Sequence, residues 1–103
     1  MKYSFNTWVY GSFPVWLPSY PLEDVIKRLS IIGYDGVEIG CAAPHAWPDF
    51  LNKERRVFLK KTLDEKKIKA SSLLPAPGGG PGNNPASIYE EERLFTVNHY
   101  KDV

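Results

Sequence analysis

The chain has 103 residues, the length of one small domain, which excludes a two-domain enzyme within it. With 43% hydrophobic and 24% charged residues it has the make-up of a globular chain with a core to bury, not of a disordered one. Thirteen Lys plus Arg against twelve Asp plus Glu leave a formal charge of +1, so no bulk basic field exists to hold a nucleic-acid backbone or an anionic membrane.

The first residues, Met1 to Thr7, are polar and aromatic and lack the charged start, apolar stretch and cleavage site of a secretory signal. Tyr3 to Tyr10 is dense in aromatic and β-branched types and runs into Gly11, which predicts a short strand and a turn. From Pro21, apolar side chains fall at Leu22, Val25, Ile26, Leu29 and Ile32, the stripe of an amphipathic helix with Pro21 at its first position and Gly33 as its C-terminal cap. Gly36 to Gly40 then reads as a brief buried strand.

Asn52 can cap a second helix with Phe58, Leu59, Thr62 and Leu63 inside and Lys66 and Lys67 in its last turn, where the helix dipole favours positive charge. Ile68 to Leu74 reads as a third strand. Pro75 to Pro85 holds four prolines and four glycines, the composition of a loop, read as a long functional loop with a flexible linker as the alternative. Beyond it Asn84 can cap a helix starting at Pro85, Ser87 with Glu90 offers an alternative capping box, and Leu94, Val97 and Lys101 continue one face. Asp102 and Val103 bring no stop signal, so the chain is expected to halt inside an element. No run approaches the roughly 18 apolar residues of a membrane span. Cys41, the single cysteine, makes neither an internal disulfide nor a structural zinc site, and a reducing cytoplasm is the expected compartment.

Strands are thus expected near residues 3–9, 36–40 and 68–74 and helices near 21–32, 50–66 and 85–103. Strand centres near Phe5, Glu38 and Ser71 are about 33 residues apart, the length of a βα unit, and alternating βα units imply parallel strands with helices packed on them. Eight such units would need about 260 residues, close to the size of a (β/α)8 barrel. The fold expected is α/β, the N-terminal three βα units of such a barrel. A complete small α/β sandwich in a doubly wound order is the alternative, but such folds commonly use more strands.

Gly33-Tyr-Asp-Gly-Val-Glu-Ile39, after a helix of the form Pro-Leu-Glu-x-Val-Ile-x-x-Leu, resembles the first βαβ unit of the sugar phosphate isomerase/epimerase family. That family has the xylose isomerase-like barrel and includes ketose 3-epimerases and an apurinic-endonuclease type. Phe5-Asn-Thr-Trp8, Pro44-His-Ala46 and Leu63 to Ser72 are further matches, and Pro44 to Leu51 is similar to fructoselysine 3-epimerase-like members. The resemblance spans residues 3 to about 73. It implies a barrel holding one divalent ion, manganese or magnesium, on Glu, Asp, His and Glu at later strand ends. Two metal-bound carboxylates would move a proton beside a carbonyl of a sugar substrate. Those ligands fall beyond Val103, so no metal ligand or catalytic residue is assigned here. The segment alone is expected to be inactive and to need no cofactor.

What the segment can supply is a wall of the site, because barrel active sites sit at the C-terminal strand ends. Asn6, Trp8 and Trp16 come from the first loop, Glu38, Cys41, His45 and Trp47 from the second, and Leu74 with the glycine run from the third. His45 is the best single candidate, able to hydrogen-bond a substrate hydroxyl or move a proton; otherwise it caps loop backbone. Trp8 and Trp16 would stack on a sugar ring or serve as core. Glu38, in an apolar strand, needs a partner and is expected to support the substrate-binding layer from behind. Cys41 reads as a small apolar filler and His99 as a solvated helix residue. Gly78 to Gly82 lacks the lysine and spacing of a phosphate loop and reads as a lid or crossing loop. The basic run Lys53, Arg55, Arg56, Lys60, Lys61, Lys66, Lys67 and Lys69 is interleaved with acids, as on a solvated outer helix face, which disfavours nucleic acid. A non-catalytic module pairing its open sheet edges with another chain or copy is the second functional reading, and a fragment of an apurinic-endonuclease-type barrel is the third.

Overall fold

The computed structural model describes residues 1–10, 19–43, 45–75 and 84–103. Three strands, β1 (Ser4–Asn6), β2 (Gly36–Cys41) and β3 (Lys69–Pro75), pair in parallel in the order β1-β2-β3. Helices α1 (Leu22–Ile32) and α2 (Lys53–Glu65) make the two crossovers, and α3 (Glu90–Asp102) follows β3. Right-handed crossovers between strands that succeed one another in the same direction bring their helices to one face. The reversal of direction that defines a doubly wound sheet does not occur among these strands.

The core is what that geometry encloses. Leu22, Val25, Ile26 and Leu29 of α1 are each at most 1% exposed and pack with Val37 and Ile39 of β2 and with Leu59 and Leu63 of α2. Burying each such side chain contributes on the order of 1.5–3 kcal/mol before the entropy of ordering it. Ile32, placed on the same stripe by its spacing, is instead exposed, because the helix ends there. Pro21 sits one residue before the helix as its cap, with its carbonyl accepting from the Asp24 and Val25 N–H groups. Gly33 closes α1 in the left-handed region at φ 104°, a conformation that side-chain-bearing residues resist, so that the Gly33 and Tyr34 N–H groups both reach the Leu29 carbonyl.

The first strand is shorter than its composition suggests. It ends at Asn6, and Thr7–Tyr10 turns into a 3-10 helix. That turn is anchored by Thr7, fully buried, whose Oγ1 accepts from the Gly40 N–H at 3.1 Å. Asn52 caps α2 as expected, accepting from the Arg55 N–H at 2.8 Å, and Leu59, Thr62 and Leu63 face inward. Phe58 does not; it is 45% exposed and lies under the Arg55 guanidinium. Lys66 and Lys67 lie past the last turn of α2, Lys66 as its cap and Lys67 at φ 55°.

α3 departs furthest from expectation. It begins at Glu90, five residues after Pro85. Asn84 and Ser87 form local turns instead, their side chains accepting from the Ala86 and Tyr89 N–H groups. Its buried residues are Thr96 and His99, while Leu94, Phe95, Val97 and Tyr100 are exposed. His99 is therefore a buried residue, 6% exposed, and not a solvated one.

Of the basic run, Arg55 alone turns inward, forming a two-pronged pair with Glu23 of α1 at 2.5 and 3.2 Å that ties the two crossover helices together. The Arg55 guanidinium holds the Glu23 carboxyl below its ordinary 4.5. The unfolded chain therefore binds the proton more readily, and the pair's contribution is present above about pH 4.5 and lost as pH falls below it. Glu23→Gln is expected to cost about 1 kcal/mol at neutral pH. In urea denaturation the gap between the two proteins should close as pH falls through the acid range; a gap independent of pH would contradict the pairing.

Candidate functional site

The two faces of the sheet differ in chemistry. Val37, Ile39 and Cys41 point to the helices, so by the alternation of a strand Gly36, Glu38 and Gly40 point to the other face. The register aligns Asn6 with Glu38 and Glu38 with Ser72. Asn6 Nδ2 donates to Glu38 Oε2 at 2.6 Å, and Ser72 Oγ donates to Glu38 Oε1 at 2.9 Å. A half-buried carboxylate thus bridges all three strands, each oxygen held by a different neighbour. This answers how an acidic residue sits inside an apolar strand: its desolvation is offset by two hydrogen bonds to the charged form.

A second polar rung lies one step back. Ser4 Oγ and Ser71 Oγ are 2.6 Å apart across the sheet. They meet because Gly36 lies between them; a Cβ there would stand 3.1 Å from the Lys69 carbonyl and 3.4 Å from Ser4 Oγ. The register shifts between Val37 and Glu38, where Ala70 gives way to Ser72 as the partner. The extra residue is Ser71, and this bulge lets Ser71 and Ser72 serve the same face. Neither serine stands out in the sequence.

The other sequence-derived candidates are dispersed. His45 is 5% exposed and its Nε2 lies 2.9 Å from the Tyr20 carbonyl, an acceptor, so Nε2 carries the proton. His45 joins the start of α1 to the loop after β2, the backbone-capping role, and is not brought to Glu38 among the described contacts. Burial pushes its pKa below 6.5, against the opposing pull of the Tyr20 carbonyl and Glu23. Trp47 stacks on His99 with ring centroids 4.9 Å apart and planes at 22°, fastening α3 to the loop after β2. Cys41 is buried with its thiol raised by desolvation and directed to the Ile39 carbonyl at 3.7 Å. Trp8 lies in the 3-10 turn. Trp16, Pro44 and the Gly78 to Gly82 run lie outside the described residues.

The bridging carboxylate and the buried histidine each make a measurable difference. A double-mutant cycle between Asn6→Ala and Glu38→Ala is expected to give a coupling of about 1.5 kcal/mol in chemical denaturation, the scale of a hydrogen bond to a charged group. Additive single-mutant losses would mean the contact contributes nothing. For His45 the folded pKa lies below the unfolded one, so the unfolded chain takes up the proton first and stability should decline as pH falls below about 6.5. His45→Gln, which keeps a donor toward Tyr20, should flatten that part of the stability profile. Comparisons with protein-family models, with curated proteins and with solved structures return no match to this chain.

Proposed function

We propose that the chain is the first three βα units of a xylose isomerase-like barrel whose full form is a metal-dependent sugar isomerase or 3-epimerase, and that these residues contribute a substrate-facing wall to its site. The observation that carries this reading is the polar rung Asn6–Glu38–Ser72 on the sheet face opposite the helices. Parallel sheets bury both faces under apolar cover in most folds. The rung stands at the end of β1 and at mid-length of β2 and β3, on the face that a barrel of sequentially ordered parallel strands turns inward, beneath a ligand held at its mouth. A ligand rich in hydroxyls suits it, since the rung holds acceptors and donors together.

In this reading the weight moves from His45, whose Nε2 is engaged with Tyr20, to Asn6, Glu38 and Ser72. Glu38 orients the Asn6 amide and the Ser72 hydroxyl rather than touching the reacting carbon. Among the described residues no three His, Cys, Asp or Glu side chains converge as a metal site, so the divalent ion that the reaction needs does not fit these residues and no chemical step is assigned to them.

Two observations test the proposal. The reading frame after codon 103 of the source DNA is expected to continue through further βα units with Glu, Asp and His at strand ends, and a stop codon there would overturn the reading. The 103-residue chain itself, supplied with manganese and a series of ketoses, is expected to give no epimerisation; metal-dependent turnover by it would show that the chemistry resides in these residues.

A further inference from the structure

On the helix side of the sheet, away from the polar rung, a cavity of about 270 Å³ opens between β2, β3, α2 and the end of α3. Its floor includes Ile39 and Cys41 and its wall Leu59 and Leu63, all at most 8% exposed. The Cys41 thiol is the polar side-chain atom of that floor, and it is already directed to the Ile39 carbonyl. A water molecule needs two to four polar partners to settle in such a space, and the side chains of this buried floor and wall offer only that thiol.

The charges stand at the mouth and cancel. Arg56 gives Nη1 to the Leu51 carbonyl at 2.7 Å, Lys60 is paired with Asp64, and Asp102 of α3 brings the opposite sign to Arg56. The mouth therefore selects neither an anion nor a cation, and the interior rewards apolar contact alone. An apolar cavity of about 150 Å³ is enough to take up benzene; this one has room for a larger hydrocarbon. Leu73 of β3, half exposed, forms part of the same lining and marks the entrance.

We infer that this cavity is a binding site for a small uncharged apolar molecule, of the size of a one- or two-ring aromatic. The site is on the opposite face of the sheet from the polar rung and does not rest on the sugar-site reading.

Cys41 supplies the readout, because its buried thiol reacts with a disulfide reagent only when the cavity region opens. A ligand that binds the closed form slows that reaction in proportion to its occupancy, by about tenfold at ten times its dissociation constant. Naphthalene is the probe, with naphthalene-1-carboxylate and 1-naphthylmethylammonium as charged counterparts of similar shape. Saturable slowing of Cys41 by naphthalene, with shifts of the Leu59 and Leu63 methyl resonances, is expected, together with weaker effects from both charged analogues. Leu73→Trp, a change at a half-exposed position, should obstruct the entrance and remove the protection while circular dichroism shows the fold retained. Absence of both Cys41 slowing and methyl shifts in the unsubstituted protein would overturn the site. Equal protection by a charged analogue would overturn its assignment to uncharged ligands.

Discussion

Everything in this molecule depends on three strands pairing in parallel and in chain order. Parallel strands cannot be joined by a tight turn, so each pairing requires a crossover helix, and the constant hand of such crossovers sends both helices to one face. The helix-facing side must then be apolar, since α1 and α2 bury their stripes against it. The other side is released from that demand. Glu38 can occupy the middle of the central strand because its neighbours on the released face are Asn6 and Ser72, and not helix side chains.

The polar face is built by small residues as much as by charged ones. Gly36 leaves room for Ser4 and Ser71 to meet above it, and the bulge at Ser71 brings two successive serines to one side of β3. Without the bulge, strict alternation would turn one of them to the helices. The register of β3 is thus adjusted just where the rung is made. That coincidence links the irregularity to the carboxylate: the strand gives up one step of regular pairing and gains an additional hydroxyl on the face opposite α1 and α2.

Much of the architecture was legible in the sequence because it rests on local pattern. The α1 stripe from Leu22 to Leu29, the Gly33 cap, the Asn52 cap and the apolar Val37-Glu-Ile39 core of β2 are each encoded within a few residues. Illegible were the features that depend on partners distant in the chain. Arg55 looked like one more cation on an outer face, and only the packing of α2 on α1 brings Glu23 to it. His99 sits among polar neighbours in sequence but is covered once Trp47 stacks on it. The face of α3 failed for a different reason: Leu94 and Val97 are spaced for burial, yet the described residues place no apolar surface against them, and the helix instead docks through His99 and Thr96. Spacing specifies which residues share a helix face, and only the surroundings decide whether that face is the buried one.

The same distinction bears on how site residues are found. Residues chosen for chemistry in isolation, His45 and Trp47, are taken up in holding segments together, one to the Tyr20 carbonyl and the other to His99. Aromatic and imidazole groups near strand ends are large and partly polar, and these properties make them good fasteners between loops as well as good ligands. Glu38 is different, because an ionised group inside a strand is costly wherever it lies and endures only with partners arranged around it. The informative signal in the sequence was therefore the residue that local stability argues against. Its cost is met by an arrangement spanning all three strands, and that arrangement is where this fold departs from what packing alone would select.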